Sequence, residues 1–276
     1  MRPAEVLRRA SDYLDRHGVE SPRATAETLL MTVLGTDRAG VYARTRGLDT
    51  REARTFGRAL CQRCAGTPLQ HLTGEQAFRR ISLEVRPGVF VPRPETEVLV
   101  GFALAEIETV SSPVVVDVGT GTGAVALSVK HERPDATVFA TDLSAEAVDL
   151  ARANASRLRL DVTVLEGELL DPLPEGLVGR VDAVLSNPPY IDPDLYDDLP
   201  VEVRADPELA LLGGVELVDR LATEATRWLR PAGLLALEIG EAQGAELVRR
   251  LDGRFGDLRV EPDLSGRDRV LLGRRV

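Results

Sequence analysis

The stretch Val114–Gly123, VVVDVGTGTG, decides the fold of this chain. Its first five residues are mostly valine, and β-branched runs of this length are typical of a strand that is buried on both faces of a sheet. Three glycines follow at alternate positions, and glycine lets the backbone turn tightly and approach a ligand closely. The stretch therefore predicts a buried strand, a glycine loop and the beginning of a helix.

Strands and helices alternate from this point to the C-terminal end. Strands are predicted at residues 114–118, 137–141, 162–165, 181–185 and 234–239, with helices between them and two further strands at the end. Such alternation is typical of an α/β fold in which helices cover both faces of a mostly parallel sheet. We therefore expect a doubly wound, Rossmann-like sheet.

The region before this domain has a different pattern. Apolar residues recur at helical spacing within residues 1–72, which predicts a small bundle of three or four helices. Ser21-Pro22 is predicted to be the N-cap and first position of the second helix. Residues 73–92 contain two turn signals around an alternating apolar segment and predict a hairpin-like connector. The sheet domain is then expected to span residues 93–276.

The net charge of −10 is distributed unevenly along the chain. Residues 1–90 contain 15 arginines and 10 acidic residues, whereas residues 91–276 contain 19 basic and 34 acidic residues. An acidic sheet domain is poorly suited to gripping duplex phosphates, so no direct nucleic-acid partner is expected. No apolar run approaches the roughly 20 residues that cross a bilayer, and the N-terminus does not resemble a signal peptide. We expect a cytoplasmic protein without a membrane partner.

The two cysteines, Cys61 and Cys64, have a spacing that occurs in redox motifs and in half of some zinc sites. A second pair of ligands is missing, and His71 is the only nearby candidate. The segment is predicted to be helical, which places both thiols on adjacent turns of one helix. We expect neither a metal nor a functional cysteine pair.

The glycine loop predicts a nucleotide-type cofactor. Asp142 ends the second predicted strand about twenty residues later, where a carboxylate can bind a ribose diol. Gly119, Gly121 and Ala124 also satisfy the dinucleotide pattern G-x-G-x-x-G/A, so a nicotinamide-dependent oxidoreductase stays open at this point. The acid before the loop, Asp117, favours a nucleoside that bears an amino acid and has no pyrophosphate to neutralise.

Asn187-Pro188-Pro189-Tyr190 follows the fourth predicted strand, at the sheet edge where open α/β folds bind ligands. Two prolines stiffen this loop and remove two backbone donors, so the loop presents acceptors. The side-chain oxygen of Asn187 and the carbonyl of Pro188 match the two N–H donors of an amide or a nucleobase amine. Tyr190 offers a face for the flat substrate group. We predict catalytic roles for Asn187, Pro188 and Tyr190, and substrate binding by all four residues.

Four further stretches resemble one enzyme family. They are Pro68–Gly74 with Phe78, Pro92–Glu97, Glu202–Gly214 and Asp263–Arg269. With these stretches, nearly the whole chain resembles the protein-(glutamine-N5) methyltransferases that modify class I peptide chain release factors. The resemblance implies a Rossmann-like methyltransferase sheet that transfers a methyl group from S-adenosyl-L-methionine to the side-chain amide nitrogen of a glutamine.

The resemblance also implies roles for individual residues and regions. The expected cofactor-binding residues are Asp117, Gly119, Thr120, Gly121, Thr122, Gly123, Asp142, Leu143, Glu168, Leu169 and Asn187. Asn187–Tyr190 would hold the glutamine amide, and Arg93–Glu97 would lie near the cofactor pocket. The positively charged N-terminal bundle has no chemical motif, so we expect it to help dock the protein substrate.

The chain departs from the family pattern at three places. His71 stands where tyrosine is usual. Glu168-Leu169 stands where the family often has an acidic and then an aromatic residue, so position 169 offers no aromatic ring to stack on adenine. Val215-Glu216-Leu217 replaces the usual Asp-Gly-Leu, which would affect a loop near the substrate channel.

Two other functions compete with this interpretation. An adenine-N6 nucleic-acid methyltransferase would use the N-P-P-Y loop equally well, but the acidic sheet domain and the absence of a basic stretch argue against it. A non-catalytic cofactor-binding module is disfavoured because Asp142 and the N-P-P-Y loop are both intact.

Overall fold

The computed structural model describes residues 2–276, and its contacts divide the chain into two units. The first unit runs to Glu75 and includes Pro200–Ala205. The second unit consists of Gln76–Leu199 and Asp206–Val276. From Gln76 onwards, the hairpin that the sequence sets apart as a connector therefore groups with the sheet. Met1, the first residue of the predicted bundle, lies outside the described residues.

Five helices form the first unit, which we call the helical unit. They are α1 (Pro3–Arg16), α2 (Pro22–Leu34), α3 (Arg38–Ala43), α4 (Thr50–Cys64) and α5 (Leu69–Thr73). Leu14, Leu29, Leu30 and Phe56 are buried in their shared core. Helix α4 begins with a capping box, in which Asp49 accepts a hydrogen bond from the backbone of Glu52 and the Glu52 side chain accepts one in return.

Two predictions for this unit need correction. Among the described residues, this unit has five helices instead of three or four, because α3 and α5 are too short to show a helical period. Ser21 precedes α2 as predicted, but its side chain makes no capping hydrogen bond, and its backbone is left-handed with φ of 47°. A residue in that conformation does not aim its hydroxyl at the first turn of the helix as an extended N-cap does.

A buried carboxylate joins α2 to α3 in the helical unit. Glu27 of α2 is only 3% exposed and accepts hydrogen bonds from Arg38, from the Tyr42 hydroxyl at 2.6 Å and from Arg23 at 3.3 Å. These partners, Tyr42 and Arg38 foremost, lower the pKa of Glu27 to about 2. A second ion pair joins Arg63, which is buried, to Glu202 at 2.6 Å within the same unit.

The second unit, the sheet unit, contains a hairpin and a seven-stranded sheet. The hairpin is β1 (Glu75–Phe78) and β2 (Ile81–Glu84). The strands of the sheet are β3 (Val114–Val118), β4 (Thr137–Asp142), β5 (Val162–Glu166), β6 (Val181–Ser186), β7 (Leu229–Glu238), β8 (Phe255–Pro262) and β9 (Asp268–Arg275). The helices are α6 (Thr96–Glu106), α7 (Ala124–Glu132), α8 (Ala145–Leu158), α9 (Gly214–Trp228) and α10 (Gly244–Leu251). Short 3₁₀ turns lie at Glu175–Leu177, Pro193–Asp198 and Glu208–Ala210.

The spatial order of the strands is β5-β4-β3-β6-β7-β9-β8. The first five are parallel, and β9 is antiparallel to both β7 and β8. The predicted doubly wound, mostly parallel sheet is confirmed, and so are the two strands at the C-terminal end. From β3 the strand order runs to β4 and β5 on one side and to β6 and β7 on the other, so the order reverses between β3 and β6. Folds of this kind bind ligands at that position.

The largest error in strand position concerns β7, which begins at Leu229 instead of the predicted residue 234. Pro231 and Gly233 interrupt the apolar pattern in its first half, and the pairing with β6 is irregular there. Helix α9 ends at Trp228, directly before this strand. The other strands with predicted bounds begin and end at the predicted residues or within one residue of them, and α9 takes Val215–Leu217 into its first turn.

The cysteine pair and the apolar helices are the features of the chain that bear on metal and membrane binding. Cys61 is exposed and Cys64 is half-buried in the last turn of α4, and both are free thiols. Within residues 2–276, no cluster of histidine, cysteine and acidic side chains is arranged to hold a metal ion. In the same range, no helix has the length and apolar character needed to span a membrane.

The ion cluster around Glu27 predicts a pH dependence of the helical unit. Because the folded pKa is lowered, the carboxylate stabilises the unit fully above roughly pH 5, and this contribution is lost as the pH falls from about 4 towards 2. We expect Glu27→Gln to destabilise α2 at neutral pH and to flatten this dependence. Native-state hydrogen exchange of α2 amides between pH 3 and pH 6, corrected for intrinsic exchange, measures both effects. Asp15→Asn, which removes an exposed carboxylate, is the control, and an unchanged profile in Glu27→Gln would contradict the assignment.

Candidate active site

Two loops begin side by side where the strand order reverses. Val118 of β3 and Ser186 of β6 are partners in the parallel pairing, and the Ser186 hydroxyl donates a hydrogen bond to the Val118 carbonyl at 2.6 Å. The glycine loop starts at the residue after Val118, and the N-P-P-Y loop starts at the residue after Ser186. The two motifs predicted to hold the cofactor and the substrate therefore share one edge of the sheet.

The glycine loop has a conformation that other residues rarely adopt. Gly119, Gly121 and Gly123 have φ values of 70°, 56° and 87°. A Cβ at Gly123 would lie 2.8 Å from Leu127 Cδ1, so helix α7 requires glycine there. No heavy atom lies within 4 Å of a Cβ placed at Gly119 or Gly121, so their bare backbone borders open space.

The polar side chains of this loop point into the protein. The Asp117 carboxylate accepts hydrogen bonds from the Thr120 hydroxyl at 2.6 Å and from the Ala126 amide at 3.1 Å. Burial raises the pKa of Asp117 to about 7. The Thr122 side chain is also buried. These side chains shape the loop, so its direct contacts with a cofactor would come from the backbone, and the predicted cofactor roles of Asp117, Thr120 and Thr122 stay predictions.

Asp142 lies at the end of β4, as predicted, and faces the glycine loop. Its Oδ2 accepts a hydrogen bond from the Gly121 amide at 2.8 Å, and its Oδ1 accepts one from the Ser144 amide at 2.9 Å. Burial raises the pKa of Asp142, against the effect of these amide donors. Each oxygen keeps a second lone pair, so the carboxylate can also accept hydrogen bonds from a diol. The next residue, Leu143, is 54% exposed and offers an apolar surface beside it.

Glu168 and Leu169 follow β5 on the same edge. The Thr141 hydroxyl donates to the Leu169 carbonyl at 2.7 Å, and Leu169 has a left-handed backbone with φ of 44°. The half-buried side chain of Leu169 packs against the core between the sheet and α9. The Glu168 carboxylate is exposed and paired with Arg220. Their predicted contacts with the cofactor stay predictions.

Asn154 supports the glycine loop and was not predicted from the sequence. Its side chain is fully buried in α8 and donates hydrogen bonds to the carbonyls of Thr122 and Glu84, both at 3.0 Å. Its Oδ1 accepts a hydrogen bond from the Glu84 amide at 2.8 Å. The side chain thus joins the loop to the β1–β2 hairpin. A polar residue on the otherwise apolar face of α8 was the signal in the sequence.

Asn187 is held by a residue from the Pro92–Glu97 stretch. Its Nδ2 donates a hydrogen bond to the Thr96 hydroxyl at 3.1 Å. Because the amide group is planar, Oδ1 lies on the opposite side and points away from Thr96. The hydrogen bond to Thr96 therefore holds the Asn187 amide in the orientation in which Oδ1 can accept a hydrogen bond from an N–H donor.

Two further contacts fix the rest of the N-P-P-Y loop. Gln243 donates to the Tyr190 carbonyl at 2.9 Å and accepts from the Gly240 amide at 2.9 Å, so it links the loop to the turn after β7. Gly213 packs directly on the Pro189 carbonyl, and a Cβ there would lie 2.3 Å from that oxygen. The carbonyl groups of the loop are thus held in place from two sides.

A buried acid lies behind this loop. Glu238, the last residue of β7, is 2% exposed, and the Tyr190 hydroxyl lies 3.4 Å from its Oε1. Burial raises the pKa of Glu238 to about 7, against the effects of the nearby Thr96 hydroxyl and of the charge of Arg269. Burial also raises the pKa of Tyr190 to about 12, so the phenol stays protonated. Thr96, Gln243 and Glu238 were not predicted as site residues.

Two of the stretches that resemble the enzyme family contact each other within the sheet unit. Arg93 forms an ion pair with the buried carboxylate of Asp206, which also accepts a hydrogen bond from the Val91 amide at 3.1 Å. The Arg93 guanidinium lies 5.3 Å from the centre of the Phe90 ring. These contacts join Pro92–Glu97, which leads into α6, to the segment that follows the N-P-P-Y loop.

The chemistry of this edge fits S-adenosyl-L-methionine. Bare backbone at Gly119 and Gly121, the Asp142 carboxylate and the exposed Leu143 match a ribose with an apolar base beside it. Asn187 presents its carbonyl oxygen at the adjacent strand end. The arrangement can bind a nucleoside cofactor on one loop and an N–H donor on the next.

Comparison with known proteins agrees with this geometry. Residues 5–74 match the family described as PrmC N-terminal domain, and residues 82–198 match the family described as methyltransferase small domain. The chain is similar to the release factor glutamine methyltransferase of Moorella thermoacetica, with 42% identity over 98% of both chains. It is also 42% identical to the protein of that name from Deinococcus radiodurans, over 100% of this chain and 99% of the other.

Two solved structures show the same fold at lower identity. The catalytic domain of hMettl16 in complex with an RNA hairpin superposes with a TM-score of 0.58 at 15% identity, and covers 79% of this chain and 81% of its own. The 16S rRNA N2 G1207 methyltransferase of Thermus thermophilus in complex with AdoMet and guanosine gives a TM-score of 0.55 at 19% identity, and covers 73% of this chain and 50% of its own. At these identities the likeness concerns the fold alone.

The position of Asp142 predicts its effect on cofactor affinity. We expect Asp142→Ala to weaken S-adenosyl-L-methionine binding by roughly 1.5–3 kcal/mol, the size of a lost hydrogen bond to a charged group. Titration calorimetry on the full chain measures the affinity. Asp149→Asn, an exposed acid on α8, is the matched control. An affinity equal to that of the wild type would remove Asp142 from the cofactor site.

Proposed function

The chain belongs to the release factor glutamine methyltransferase family, and we propose that the site at the ends of β3, β4 and β6 is where it methylates its substrate. The substrate group is the side-chain amide of a glutamine, and the methyl donor is S-adenosyl-L-methionine. We assign the substrate more narrowly to class I release factors. The observation that carries the assignment of the site is the hydrogen bond from Asn187 to Thr96, because it leaves the Asn187 carbonyl oxygen available to a donor.

The proposed chemistry depends on orienting a weak nucleophile. The lone pair of an amide nitrogen is delocalised into its carbonyl, so the nitrogen attacks a methyl group poorly. Asn187 Oδ1 and the Pro188 carbonyl would accept hydrogen bonds from its two N–H groups, aim the lone pair at the methyl group and stabilise the positive charge that develops on nitrogen. The nitrogen gains a methyl group and gives up one proton.

The cofactor would occupy the adjacent loop. S-adenosyl-L-methionine supplies an electrophilic methyl group on a sulfonium, which leaves as a neutral thioether. The backbone at Gly119–Gly123 would lie against the cofactor, and Asp142 would accept hydrogen bonds from its ribose. Leu143 and Leu169 would border the adenine, with Glu168 at the rim.

The proposal also concerns nucleic acids and membranes, neither of which we expect the enzyme to contact. We propose that the enzyme acts on protein in the cytoplasm, without direct nucleic-acid or membrane contact. A nucleobase amine would also fit the two acceptors, but the sheet domain carries many more acidic than basic residues, which disfavours a polyanionic substrate.

The helical unit offers a basic surface for docking the protein substrate. Arg51, Arg54 and Arg58 of α4 are exposed and spaced three and four residues apart, so they share one face of the helix. None of the three forms an ion pair within residues 2–276. The apolar face of α4 is turned to the core of the unit through Phe56. We propose that this arginine face contacts acidic side chains of the release factor.

Substitutions at Asn187 test the proposed chemistry. Asn187→Ala should reduce the rate of methyl transfer by about 10²–10³, comparable to deleting one preorganised polar group. Asn187→Asp keeps an acceptor but loses the N–H₂ group that bonds to Thr96, so we also expect a marked loss. A carboxylate would in addition hold the sulfonium more tightly in the ground state.

The measurement is single-turnover methyl transfer to a release factor at saturating cofactor, with cofactor affinity determined separately. Asn154→Asp serves as a comparison, because it alters the cofactor loop and should change affinity more than rate. Wild-type rates in both Asn187 variants would mean that Asn187 only shapes the loop.

The arginine face predicts a separate effect on substrate affinity. Replacing Arg51, Arg54 and Arg58 together by glutamine should raise KM for the intact release factor about tenfold at low salt, with cofactor affinity unchanged. A short peptide that contains the modified glutamine should show no such change in KM. The control is the double variant Arg8→Gln with Arg9→Gln. It also removes positive charge from the helical unit, but from side chains that already pair with Asp12 and Glu5. Equal KM values for the triple variant and the wild type would contradict docking by this face.

A further inference from the structure

The turn between β8 and β9 lies in the Asp263–Arg269 stretch, which has no part in the chemistry described so far. Its Leu264 side chain is 100% exposed, the highest value among the large apolar residues that the structure describes. Single exposed leucines are common on protein surfaces and need no function. This one, however, lies at the edge of the sheet that carries the candidate site.

Strand pairing defines where the turn lies. Ser186, the residue before the N-P-P-Y loop, is paired with Leu237 of β7, and Leu237 is paired with Leu271 of β9. Towards its start, β9 extends three residues beyond Leu271 to Asp268, the last residue that pairs with β8. At the usual spacings of a sheet, the turn projects about 10 Å beyond the level of Ser186 and lies about 10 Å to one side of it.

Hydrogen bonds fix the shape of this turn. The Asp263 carboxylate accepts from the Ser265 hydroxyl at 2.6 Å and from the amides of Ser265 and Arg267 at 2.8 Å and 3.1 Å. These donors, the Ser265 hydroxyl foremost, lower the pKa of Asp263 to about 2, so the carboxylate stays charged at neutral pH. Arg269 pairs with Asp263 at 3.4 Å and donates to the Ile239 carbonyl at 3.3 Å, directly after β7. The exposed leucine is therefore carried by a turn that is held in place.

Exposed apolar side chains of the sheet unit are concentrated at this edge. Among its described residues, the large ones are Leu143, Val178, Leu195, Leu209, Leu264 and Val276. Val178 and Val276 lie at the opposite edge, before β6 and after β9. Leu195 and Leu209 lie within four residues of the β-bridge that directly follows the N-P-P-Y loop. Apolar surface gathered on one side of a protein is typical of a face that another molecule covers. We call Leu195, Leu209 and Leu264 the apolar rim.

The geometry of a glutamine substrate indicates what covers the apolar rim. Only two methylene groups separate a glutamine amide from its backbone. An amide that reaches Asn187 therefore brings the polypeptide on both sides of the glutamine to the edge of the site. The distance of about 10–15 Å from this edge to the turn corresponds to about three to five residues of extended chain. Leu264 is thus within reach of residues that are close to the glutamine in sequence.

Charge beside the apolar rim narrows the chemistry of this polypeptide. Asp194, Asp197 and Asp198 lie on either side of Leu195 in the sequence, and all three are exposed. Within residues 2–276, none of these carboxylates forms an ion pair. A polypeptide with basic side chains next to its apolar ones would complement them, whereas an acidic polypeptide would be repelled.

We propose that the apolar rim binds the polypeptide that flanks the target glutamine, and that this polypeptide carries apolar and basic side chains within about five residues of the glutamine. The inference rests on the proposed function, because it takes the target amide to lie at Asn187. Leu264 is the member of the rim that gains most from being covered, since its side chain is fully in water. Partial burial of one leucine changes affinity by about tenfold.

Substitutions at Leu264 test the proposal in the full chain, because a fully exposed side chain can be changed without disturbing the core. Leu264→Ser should raise KM for the intact release factor about tenfold, with the single-turnover rate at saturating substrate and the cofactor affinity within about twofold of the wild type. Leu264→Met keeps an apolar side chain and should stay close to the wild type. Val276→Ser is the control, because it changes an exposed apolar side chain at the opposite edge.

Two synthetic peptides locate the contact. Both contain the target glutamine, and the positions about three to five residues away hold leucine and lysine in one peptide and serine in the other. The wild type should have an about tenfold lower KM for the first peptide, and Leu264→Ser should lose most of this preference. If Leu264→Ser raised KM for the release factor but kept the full peptide preference, the contact would lie elsewhere on the release factor and the proposal would be overturned.

The same measurements separate this inference from the proposed function. Wild-type KM values of Leu264→Ser for the release factor and for both peptides, together with a slow Asn187→Ala enzyme, would overturn the role of the apolar rim and leave the site intact. A wild-type rate in Asn187→Ala would instead overturn the proposed site.

Discussion

The parallel pairing of β3 with β6 is the constraint on which the site depends. Val118 and Ser186 are 68 residues apart in sequence, and their pairing starts two loops at the same point of the sheet edge. Each loop is then held by contacts of its own, the first by Asp117 and Asn154 and the second by Thr96 and Gln243. A shift of this pairing by one residue would turn the side chains of one loop over relative to the other and separate the groups that must meet.

Buried acids at the site make the stability of the sheet unit depend on pH. Burial raises the pKa values of Asp117 and Glu238 to about 7, so keeping either group ionised in the folded chain costs free energy that the unfolded chain does not lose. The folded state therefore holds protons on these groups more firmly than the unfolded state, and their contribution to stability declines as the pH rises from about 4 to 7. Glu27 acts in the opposite sense, because its partners favour the charged form. The helical unit and the sheet unit thus gain or lose stability in different pH ranges.

Local patterns in the sequence were enough for the architecture and for the centre of the site. Buried parallel strands require β-branched runs, and a glycine loop requires glycines at fixed positions, so β3–β6, Asp142 and the N-P-P-Y loop could all be predicted. Thr96 belongs to the Arg93–Glu97 stretch that was expected near the cofactor pocket, but its contact with Asn187 could not be predicted, and neither could the position of Glu238. Thr96 is 91 residues from Asn187, and Glu238 is 48 residues from Tyr190. Their importance arises only from packing. Gly213 was missed for the same reason, since its need for glycine comes from the Pro189 carbonyl and not from its own backbone angles.

The ion pair between Arg63 and Glu202 bears on how the chain folds during its synthesis. The two residues are 139 positions apart, yet both belong to the helical unit. At about 5–20 residues per second, the ribosome adds Glu202 on the order of ten seconds after Arg63. During that interval the five helices can form, but the guanidinium that ends up buried has no carboxylate to meet. The N-terminal unit therefore reaches its final state only after most of the sheet has been translated, although its helices are made first.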